Sequence, residues 1–319
     1  MRFFDAADVD RALSYPALVD ALGEIFEKGA IAPPRHHHHV HLADKPDATL
    51  LLMPAWQARE PGSEAAGRYM GFKAVTVFPG NMEKKLPVIY GTYVLLSAET
   101  GAPLAVMDAT RLTAWRTGAA SALAARYLAR PDASRMTMIG AGALAPMLIR
   151  AHASVRPIAH VTLWNRSRGR AEEVVKALGD TGLSIEIADD LEAAVRSADI
   201  VSAATLSTEP LIRGAWLKPG AHVDCVGAYR PDMRETDDDA VSRARLFADT
   251  RAGAFGEAGD ILLAIKSGAI TEAAVLGDLY DLARGKVQGR TSPDEITMFK
   301  SVGASIEDLC AALSVYERG

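Results

Sequence analysis

An apolar strand that runs into closely spaced small residues constrains the fold of this chain more than any other feature. Residues 136–139 form a short apolar run typical of a buried parallel strand, and Gly140, Gly142 and Ala145 follow it. Their spacing is that of a dinucleotide-binding fingerprint, in which the first glycine permits a tight turn and the second lets the backbone approach a pyrophosphate. The third small residue lets the next helix pack on the strand, and the helix N-terminus favours phosphate. The stretch therefore predicts a Rossmann-type α/β domain.

The end of the next predicted strand indicates which dinucleotide binds. The polar residues that follow residues 160–164 include Asn165, Arg166, Ser167, Arg168 and Arg170. NAD-binding domains usually carry an acidic residue here, which bonds the ribose 2′-hydroxyl. A guanidinium and a hydroxyl can instead bind a 2′-phosphate. We therefore predict NADP (NADPH) as the cofactor; the alternative is an exposed turn with solvated arginines.

Length and composition indicate a protein of ordinary globular type. At 319 residues the chain is long enough for two domains, taking roughly 150 residues for each. A net charge of −5 and the lack of a basic run give no reason to expect nucleic acid. Cys225 and Cys310 lie in apolar contexts, which favours a reducing compartment. The N-terminus lacks the apolar core of a signal peptide, and no apolar run approaches the ~20 residues of a membrane span. We expect a cytoplasmic protein that does not bind membranes.

The remaining segments divide into a strand-rich first part and an alternating second part. A serine before a tyrosine–proline pair predicts a helix over residues 14–27, and an alanine-rich helix is predicted over residues 110–129. Strands of the first part are predicted over residues 49–56, 71–78, 86–96 and 103–108. Beyond residue 167 helices and strands alternate, as in a doubly wound sheet. The later helices are predicted over residues 170–178, 191–197, 257–266, 271–284 and 306–317.

Three cationic side chains differ from the solvated charges around them. Lys73 lies among apolar neighbours in a predicted strand, Arg35 follows a pair of prolines, and Arg116 lies near the start of the long helix. A buried lysine is costly without an anionic partner, and the alternative is a half-exposed strand with Lys73 facing solvent. Because like charges repel, we expect only a shared anionic ligand to bring the three cations together.

A run of four histidines, His36 to His39, invites a metal-site interpretation. Adjacent side chains of a strand point to opposite faces, so the run does not present four ligands to one ion. We therefore predict no metal site.

Short motifs along the whole chain resemble the ornithine cyclodeaminase/mu-crystallin family. The matching stretches are Pro34-Arg35, Met53-Pro54, Gly71-Phe72-Lys73, Gly91-Thr92-Tyr93, Leu112-Thr113-Ala114-Trp115-Arg116-Thr117-Gly118-Ala119, Gly140-Ala141-Gly142, Asn165-Arg166-Ser167, Glu209-Pro210, Val226-Gly227-Ala228 and Phe299-Lys300-Ser301-Val302-Gly303. Few of them are specific alone, but their order and spacing span the full length. The resemblance implies a two-domain α/β protein and a homodimer. A strand-rich α+β substrate-binding and dimerisation domain would comprise residues 1–115 plus 300–319, and a Rossmann dinucleotide-binding domain residues 116–299.

The resemblance also implies the site residues. Arg35, Lys73 and Arg116 would hold a substrate carboxylate, with Lys73 and Arg116 as the catalytic residues. Further substrate-binding residues would be Thr92, Thr117 and Tyr229. The cofactor-binding residues would be Gly140, Ala141, Gly142, Ala143, Leu144, Asn165, Arg166, Ser167, Arg170, Thr205, Leu206, Val226, Gly227, Lys300 and Ser301.

Two departures from the family pattern bear on the activity. Members that cyclise ornithine carry an aspartate directly after Val-Gly-Gly or Val-Gly-Ala, where this chain has Tyr229, and a glutamate two residues before Met-Pro, where it has Leu51. A tyrosine hydroxyl does not replace a carboxylate as a base at neutral pH. The segment from Tyr229 to Asp232 is similar to the mu-crystallin side of the family, whose members reduce cyclic ketimines with NAD(P)H.

We therefore expect NADPH-dependent reduction of a cyclic imino acid, either Δ1-pyrroline-2-carboxylate or Δ1-piperideine-2-carboxylate, to L-proline or L-pipecolate. Three alternatives stay open. The chain could be an ornithine cyclodeaminase, an alanine or other amino-acid dehydrogenase, or a non-catalytic ligand-binding protein like lens mu-crystallin. Retention of all three cations argues against a pure binder.

Overall fold

The computed structural model describes residues 1–43, 45–60, 65–84 and 86–319, which include every candidate site residue. These residues divide into two compact units, one formed by Met1–Arg116 with Ala304–Gly319 and the other by Thr117–Gly303. The sequence prediction placed the boundaries after residues 115 and 299, and the structure divides the chain after residues 116 and 303.

Helices and strands follow one another along the described chain, with longer connections over residues 204–221, 226–237 and 284–296. Up to residue 128 they are β1 (Arg2–Phe4), α1 (Ala6–Ala12), α2 (Tyr15–Lys28), β2 (Ala30–Ile31), β3 (His36–Val40), β4 (Ala48–Ala58), β5 (Ala66–Val77), β6 (Ile89–Ser97), β7 (Pro103–Asp108) and α3 (Ala109–Leu128). From residue 135 on they are β8 (Arg135–Ile139), α4 (Ala145–Val155), β9 (His160–Trp164), α5 (Arg168–Leu178), β10 (Ser184–Ile187), α6 (Leu191–Ser197), β11 (Ile200–Ala203), β12 (His222–Cys225), α7 (Asp238–Arg243), β13 (Arg245–Ala248), α8 (Arg251–Glu257), α9 (Gly259–Ser267), β14 (Val275–Asp278), α10 (Leu279–Ala283), β15 (Thr297–Lys300) and α11 (Ser305–Arg318).

The first unit is a mostly antiparallel sheet with helices on one face. Its strands lie in the order β1-β7-β6-β5-β4, and β2 and β3 pair with different parts of β4. Met53, Lys73, Tyr93 and Met107 are partners in register across four strands and are all buried. Helix α11 contacts β4, β5 and β6 as well as α2, so it covers this inner face. Lys73 is therefore turned towards the helices, because side chains alternate along a strand.

The second unit is a parallel sheet in the order β10-β9-β8-β11-β12-β15-β13-β14. From β8 the chain adds β9 and β10 on one side and β11 and β12 on the other, which is the arrangement of a Rossmann domain, and β15 lies between β12 and β13. Met138 and Ile139 are neighbours in β8 but pack in different apolar clusters, so both faces of the sheet are covered. The predicted α/β fold class is confirmed. No helix of the described residues has the length and apolar character to cross a membrane.

Three local predictions were wrong or incomplete. The helix predicted over residues 271–284 is a 3₁₀ turn, strand β14 and the short helix α10, because pairing with β13 overrides local helix propensity. The helix predicted over residues 257–266 corresponds to α9, and the preceding helix α8 was not predicted. At Gly259, which begins α9, a side chain would lie 1.9 Å from the carbonyl oxygen of Met233. Helix α1 was missed, although Asp5 and Asp8 form its capping box.

Candidate functional site

Lys73 lies inside the first unit and is paired with an acid that the sequence analysis did not identify. Its side chain is only 2% exposed. Its Nζ lies 2.9 Å from Oδ1 and 2.8 Å from Oδ2 of Asp308, and it donates to Oγ1 of Thr113 at 3.3 Å. The alternative of a solvent-facing lysine is wrong, because Lys73 occupies the helix-covered face and has a buried counter-ion.

Arg116 contacts the same carboxylate from helix α3. Its Nε donates to Oδ1 of Asp308 at 3.0 Å, and its Nη1 donates to Oε2 of Glu307 at 2.7 Å. Both acidic side chains are fully buried. The expectation that only a shared ligand brings Lys73 and Arg116 together is therefore wrong, since Glu307 and Asp308 supply the opposing charge within the chain. We call these four residues the ion cluster.

The acids of the ion cluster come from the first turn of α11. Negative charge is favourable at a helix N-terminus, and Glu307 and Asp308 occupy that position. One sequence signal could have found them: the two acids stand beside the mainly apolar stretch 309–315 of the last helix. Acidic side chains that are buried with such a stretch need cationic partners, so this pattern indicates buried cations elsewhere in the chain.

The pKa of Lys73 is displaced by this environment. The pKa of Lys73 is lowered from 10.5 to about 8, because burial and the nearby charges of Arg116 and Arg35 together outweigh the opposing effect of Asp308. Lys73 therefore holds its proton at neutral pH but can release it close to pH 8. That is the behaviour expected of a side chain that donates a proton under physiological conditions.

The other predicted substrate residues lie in different parts of the fold. Arg35 is half-buried just before β3 and lies close enough to lower the pKa of Lys73. Thr92 is an in-register partner of Ala74, on the sheet face opposite Lys73, so it does not join the ion cluster. Thr117 is buried in α3, and Tyr229 is exposed in the second unit.

Each small residue of the glycine fingerprint in the second unit has the role that the spacing predicts. Gly140 follows β8 with φ +102°, and a side chain there would lie 2.8 Å from the carbonyl oxygen of Ala204. Around Gly142, by contrast, no described atom would lie within 4 Å of an added side chain. The fully buried Ala145 begins α4 close against the sheet. The turn therefore leaves open backbone in front of a helix N-terminus, which fits a dinucleotide pyrophosphate.

The end of β9 presents exposed polar groups at the predicted position for the ribose. Asn165 donates to the carbonyl oxygen of Ser167 at 2.9 Å, which holds the turn. Arg168 is already bonded to Asp189 at 2.7 Å. In the described part of the chain, no hydrogen bond or ion pair is recorded for the guanidinium of Arg166, which is exposed, as Ser167 and Arg170 are. Arg166 and Arg170 are therefore the exposed arginines of this turn that no described ion pair holds.

A second buried charge network holds the loops after β11, β12 and β15. Lys300 is fully buried, donates to the carbonyl oxygen of Gly227 and lies 3.2 Å from Oδ2 of Asp260. Glu235 accepts from the backbone N–H of Thr205 at 2.6 Å, and Asp260 accepts from the N–H of Glu235 at 2.7 Å. The ammonium of Lys300 is thus used within the protein. Sequence reasoning missed Glu235 and Asp260, which fix the loops predicted to contact the cofactor.

The charges in this network displace one another's pKa values. Burial raises the pKa of Glu235, and Lys300 only partly offsets this. Burial alone would lower the pKa of Lys300, but Asp260 and Glu235 outweigh it and keep the pKa above its usual value. Cys225, Glu235 and Asp260 place three possible metal ligands within 4.8 Å of one another. The ammonium of Lys300 already balances the negative charge of Asp260 and Glu235, so these three side chains do not require a metal ion.

Ala228 has a left-handed backbone in the loop after β12. Its φ is +50°, a value that costs a residue with a side chain free energy, and its N–H donates to the carbonyl oxygen of Thr205 at 3.3 Å. A side chain at Gly227 would lie 2.1 Å from the same oxygen, so the two loops are in close contact. The remaining predicted cofactor residues differ in solvent exposure: Val226 and Ser301 are buried, whereas Leu206 is 66% exposed.

A buried serine, histidine and aspartate in the second unit resemble a hydrolytic triad in composition only. Ser202 donates to Oδ2 of Asp224 at 2.7 Å, and Nε2 of His152 lies 3.0 Å from the same oxygen. In a nucleophilic triad the hydroxyl must bond to the histidine instead. The arrangement is a structural polar cluster.

Comparison with known proteins adds to this geometry. The sequence pattern of the ornithine cyclodeaminase/mu-crystallin family matches residues 3–319. The Δ1-pyrroline-2-carboxylate reductase of Paracoccus denitrificans is 39% identical over 312 residues, covering 98% of this chain and 95% of that protein. The solved structure of the Thermococcus litoralis Δ1-pyrroline-2-carboxylate reductase in complex with NADH and L-proline has a TM-score of 0.90 and 32% identity, covering 100% of this chain and 97% of the other. An archaeal alanine dehydrogenase dimer with bound NAD has a TM-score of 0.88 and 32% identity, covering 100% and 95%.

Gly142→Ala tests the open backbone of the fingerprint. We expect the variant to keep the wild-type melting temperature, because its methyl group meets no described atom, and to bind the reduced cofactor at least about tenfold more weakly, because the methyl group occupies the pyrophosphate position. Thermal unfolding and titration calorimetry measure the two quantities. Gly256→Ala in α8, which also adds a methyl group in open space, is the control and should change neither. Unchanged cofactor affinity in Gly142→Ala would place the pyrophosphate elsewhere.

Proposed function

The chain belongs to the ornithine cyclodeaminase/mu-crystallin family, and on this basis we propose that it is an NADPH-dependent reductase of cyclic imino acids. The substrates are Δ1-pyrroline-2-carboxylate and Δ1-piperideine-2-carboxylate, and the products are L-proline and L-pipecolate. The observation that carries the proposal is the cationic cluster of Lys73 and Arg116, with Arg35 nearby, in a chain similar over its length to Δ1-pyrroline-2-carboxylate reductases.

The roles of the residues follow from the charges. The guanidinium groups of Arg35 and Arg116 bind the substrate carboxylate, since a planar guanidinium can make two parallel hydrogen bonds to it. Bound in the glycine fingerprint, the nicotinamide cofactor supplies a hydride for the carbon of the C=N bond. The nitrogen must gain a proton in the same reduction. Lys73 provides it, because its pKa, lowered to about 8 mainly by burial, makes it a competent acid at neutral pH.

The proposed activity is tested by NADPH oxidation with each cyclic imine. We expect turnover with at least one imine, and kcat to fall as the pH rises through about 8, because Lys73 then loses the proton that it donates. Absorbance at the nicotinamide band measures the rate.

Two control reactions separate the alternatives. L-Ornithine with NAD⁺ should release no ammonia, since Tyr229 and Leu51 replace the acids of the cyclising members, and pyruvate with ammonia should oxidise NADPH far more slowly than the imines. Ammonia release from ornithine at a rate comparable to imine reduction would contradict the proposal and indicate a cyclodeaminase.

The preference for NADPH is the finer part of the proposal. The turn after β9 has Asn165, Arg166 and Ser167 where an acid would bind the ribose of NAD, and Arg166 is exposed. Thermococcus litoralis Δ1-pyrroline-2-carboxylate reductase was solved with NADH, so this family also includes members that accept the cofactor without the phosphate. The choice of cofactor therefore depends on this chain's own turn.

Arg166→Ala tests that turn. A charge-assisted hydrogen bond contributes about 1.5–3 kcal/mol, so the variant should lose roughly ten- to a hundredfold of its preference for NADPH over NADH. The ratio of kcat/KM values for the two cofactors measures it. Arg168→Ala is the matched control, because Arg168 is already bonded to Asp189 and should leave the ratio almost unchanged. Equal use of both cofactors by the unmutated enzyme would overturn the assignment.

The first unit is also proposed to form the homodimer. On the sheet face away from α11, Pro54, Phe72, Val94 and Val106 are in register across four adjacent strands and are partly exposed. Such an apolar stripe is typical of a surface that a partner covers. The partner is a second copy of this chain, as the similarity to a dimeric archaeal alanine dehydrogenase supports. The first unit would therefore both form the dimer and bind the substrate.

The two cysteines support a cytoplasmic location for the protein. Cys225 and Cys310 are free, buried thiols, which suits a reducing compartment.

Phe72→Glu tests the interface. The new carboxylate would lie in the middle of the apolar stripe, so the variant should be a monomer of about 34 kDa by light scattering, half the mass of the wild type. Ala102→Glu places the same charge in the exposed turn between β6 and β7 and should remain dimeric. A dimeric Phe72→Glu variant would locate the interface on another surface.

A further inference from the structure

One carboxylate of the C-terminal helix contacts both cations of the substrate site. Oδ1 of Asp308 lies 2.9 Å from Nζ of Lys73 and accepts from Nε of Arg116 at 3.0 Å. Because the two cations share a single oxygen, a displacement of Asp308 moves both of them. Asp308 is fully buried, so bulk water does not replace its carboxylate as the partner of the two cations.

We propose that Asp308 is a positioning residue that sets the relative placement of Lys73 and Arg116 and holds the proton of Lys73 for transfer to the substrate nitrogen. The inference rests on the reductase function proposed above. Asp308 does not touch the substrate. It acts through the two cations, which are aligned before the substrate arrives, and a side chain held in advance loses less entropy on binding.

The neighbouring acid has a different role. Glu307 is bonded to Nη1 of Arg116 at 2.7 Å, and the recorded ion pair of Lys73 is with Asp308. Glu307 therefore orients the guanidinium, whereas Asp308 acts on both the guanidinium and the ammonium. This difference provides a matched pair of variants, since both acids are buried, adjacent in α11 and ion-paired with Arg116.

The groups that face Lys73 determine the direction of the expected change. Asp308 lies on α11, Thr113 and Arg116 on α3, Arg35 before β3, and Tyr93 beside Lys73 on β6. Of these, only the Asp308 carboxylate carries a negative charge near the ammonium. Without that charge, burial and the two arginines remain, and all of them favour the neutral amine. Lys73 would then lose its proton at a lower pH.

The experiment compares Asp308→Asn with Glu307→Gln. In Asp308→Asn we expect the fall of kcat with rising pH to begin about 1–3 pH units lower than in the wild type, the usual effect of one nearby charge. Glu307→Gln should raise KM for the imino acid and leave this pH dependence in place. Asp308→Glu retains the charge and should restore most of the wild-type profile. A purely structural ion pair would lower the melting temperature in Asp308→Asn without moving the pH profile, and that result would overturn the proposal.

A measurement without substrate separates this inference from the proposed function. The ¹⁵N shift of the Lys73 ammonium, assigned by its loss in Lys73→Met, should titrate at lower pH in Asp308→Asn than in the wild type. If the wild type reduces neither imine, the proposed function fails, while the titration still tests the role of Asp308. An unchanged titration would overturn the role of Asp308 even in an active reductase.

A double variant covers the case in which Asp308→Asn does not fold. Lys73→Met/Asp308→Asn removes the ion pair as a unit, so it should unfold at a higher temperature than Asp308→Asn and match Lys73→Met in residual activity. If the double variant also fails to fold, Asp308 serves the fold rather than Lys73, and the proposal is wrong.

Discussion

The first unit of this protein depends on burying four charges together. Removing a charged group from water costs several kcal/mol, and the cost is recovered only when partners and hydrogen bonds are well placed. Asp308 meets this condition because it contacts both Lys73 and Arg116. Glu307, which is bonded to Arg116, brings the net charge of the four residues to zero. Loss of one member would leave an uncompensated buried charge, an effect of about 3–5 kcal/mol. The ion cluster therefore joins β5, α3 and α11 as a set.

This cluster also marks where prediction from sequence reached its limit. The strand–glycine–helix fingerprint was predicted correctly, because its turn and helix start depend on neighbouring residues such as Gly140 and Ala145. The cation Lys73 was identified because a charge in an apolar strand is unusual. Its partner was not, since Lys73 and Asp308 are 235 residues apart and nothing local links them. For the same reason the segment 271–284 was wrongly predicted as one helix: the pairing of β14 with β13 is not written in that segment.

In the second unit, too, features that depend on neighbouring residues could be predicted from the sequence, and contacts between residues far apart in the chain could not. Glycines at residues 140 and 142 follow from a motif that can be read in order along the chain. The buried network of Glu235, Asp260 and Lys300 does not, although it holds the loops at the strand ends where a Rossmann domain binds its ligand. Ala228 keeps a strained backbone within those loops, and strain of this kind persists only where surrounding contacts fix it. The network therefore stabilises the loop geometry at the expense of local backbone freedom.

The residue at position 51 also affects the charge around Lys73. Leu51 lies two residues from Met53 on β4, and Met53 is the in-register partner of Lys73, so Leu51 shares the sheet face of the ammonium. A carboxylate at that position would add a second negative charge on the face of Lys73, where a leucine adds none. Glu307 and Asp308 do not replace it as a base, because each is held by a cation. The proposed role of Lys73 as proton donor fits this charge arrangement, because both nearby carboxylates are already paired with cations.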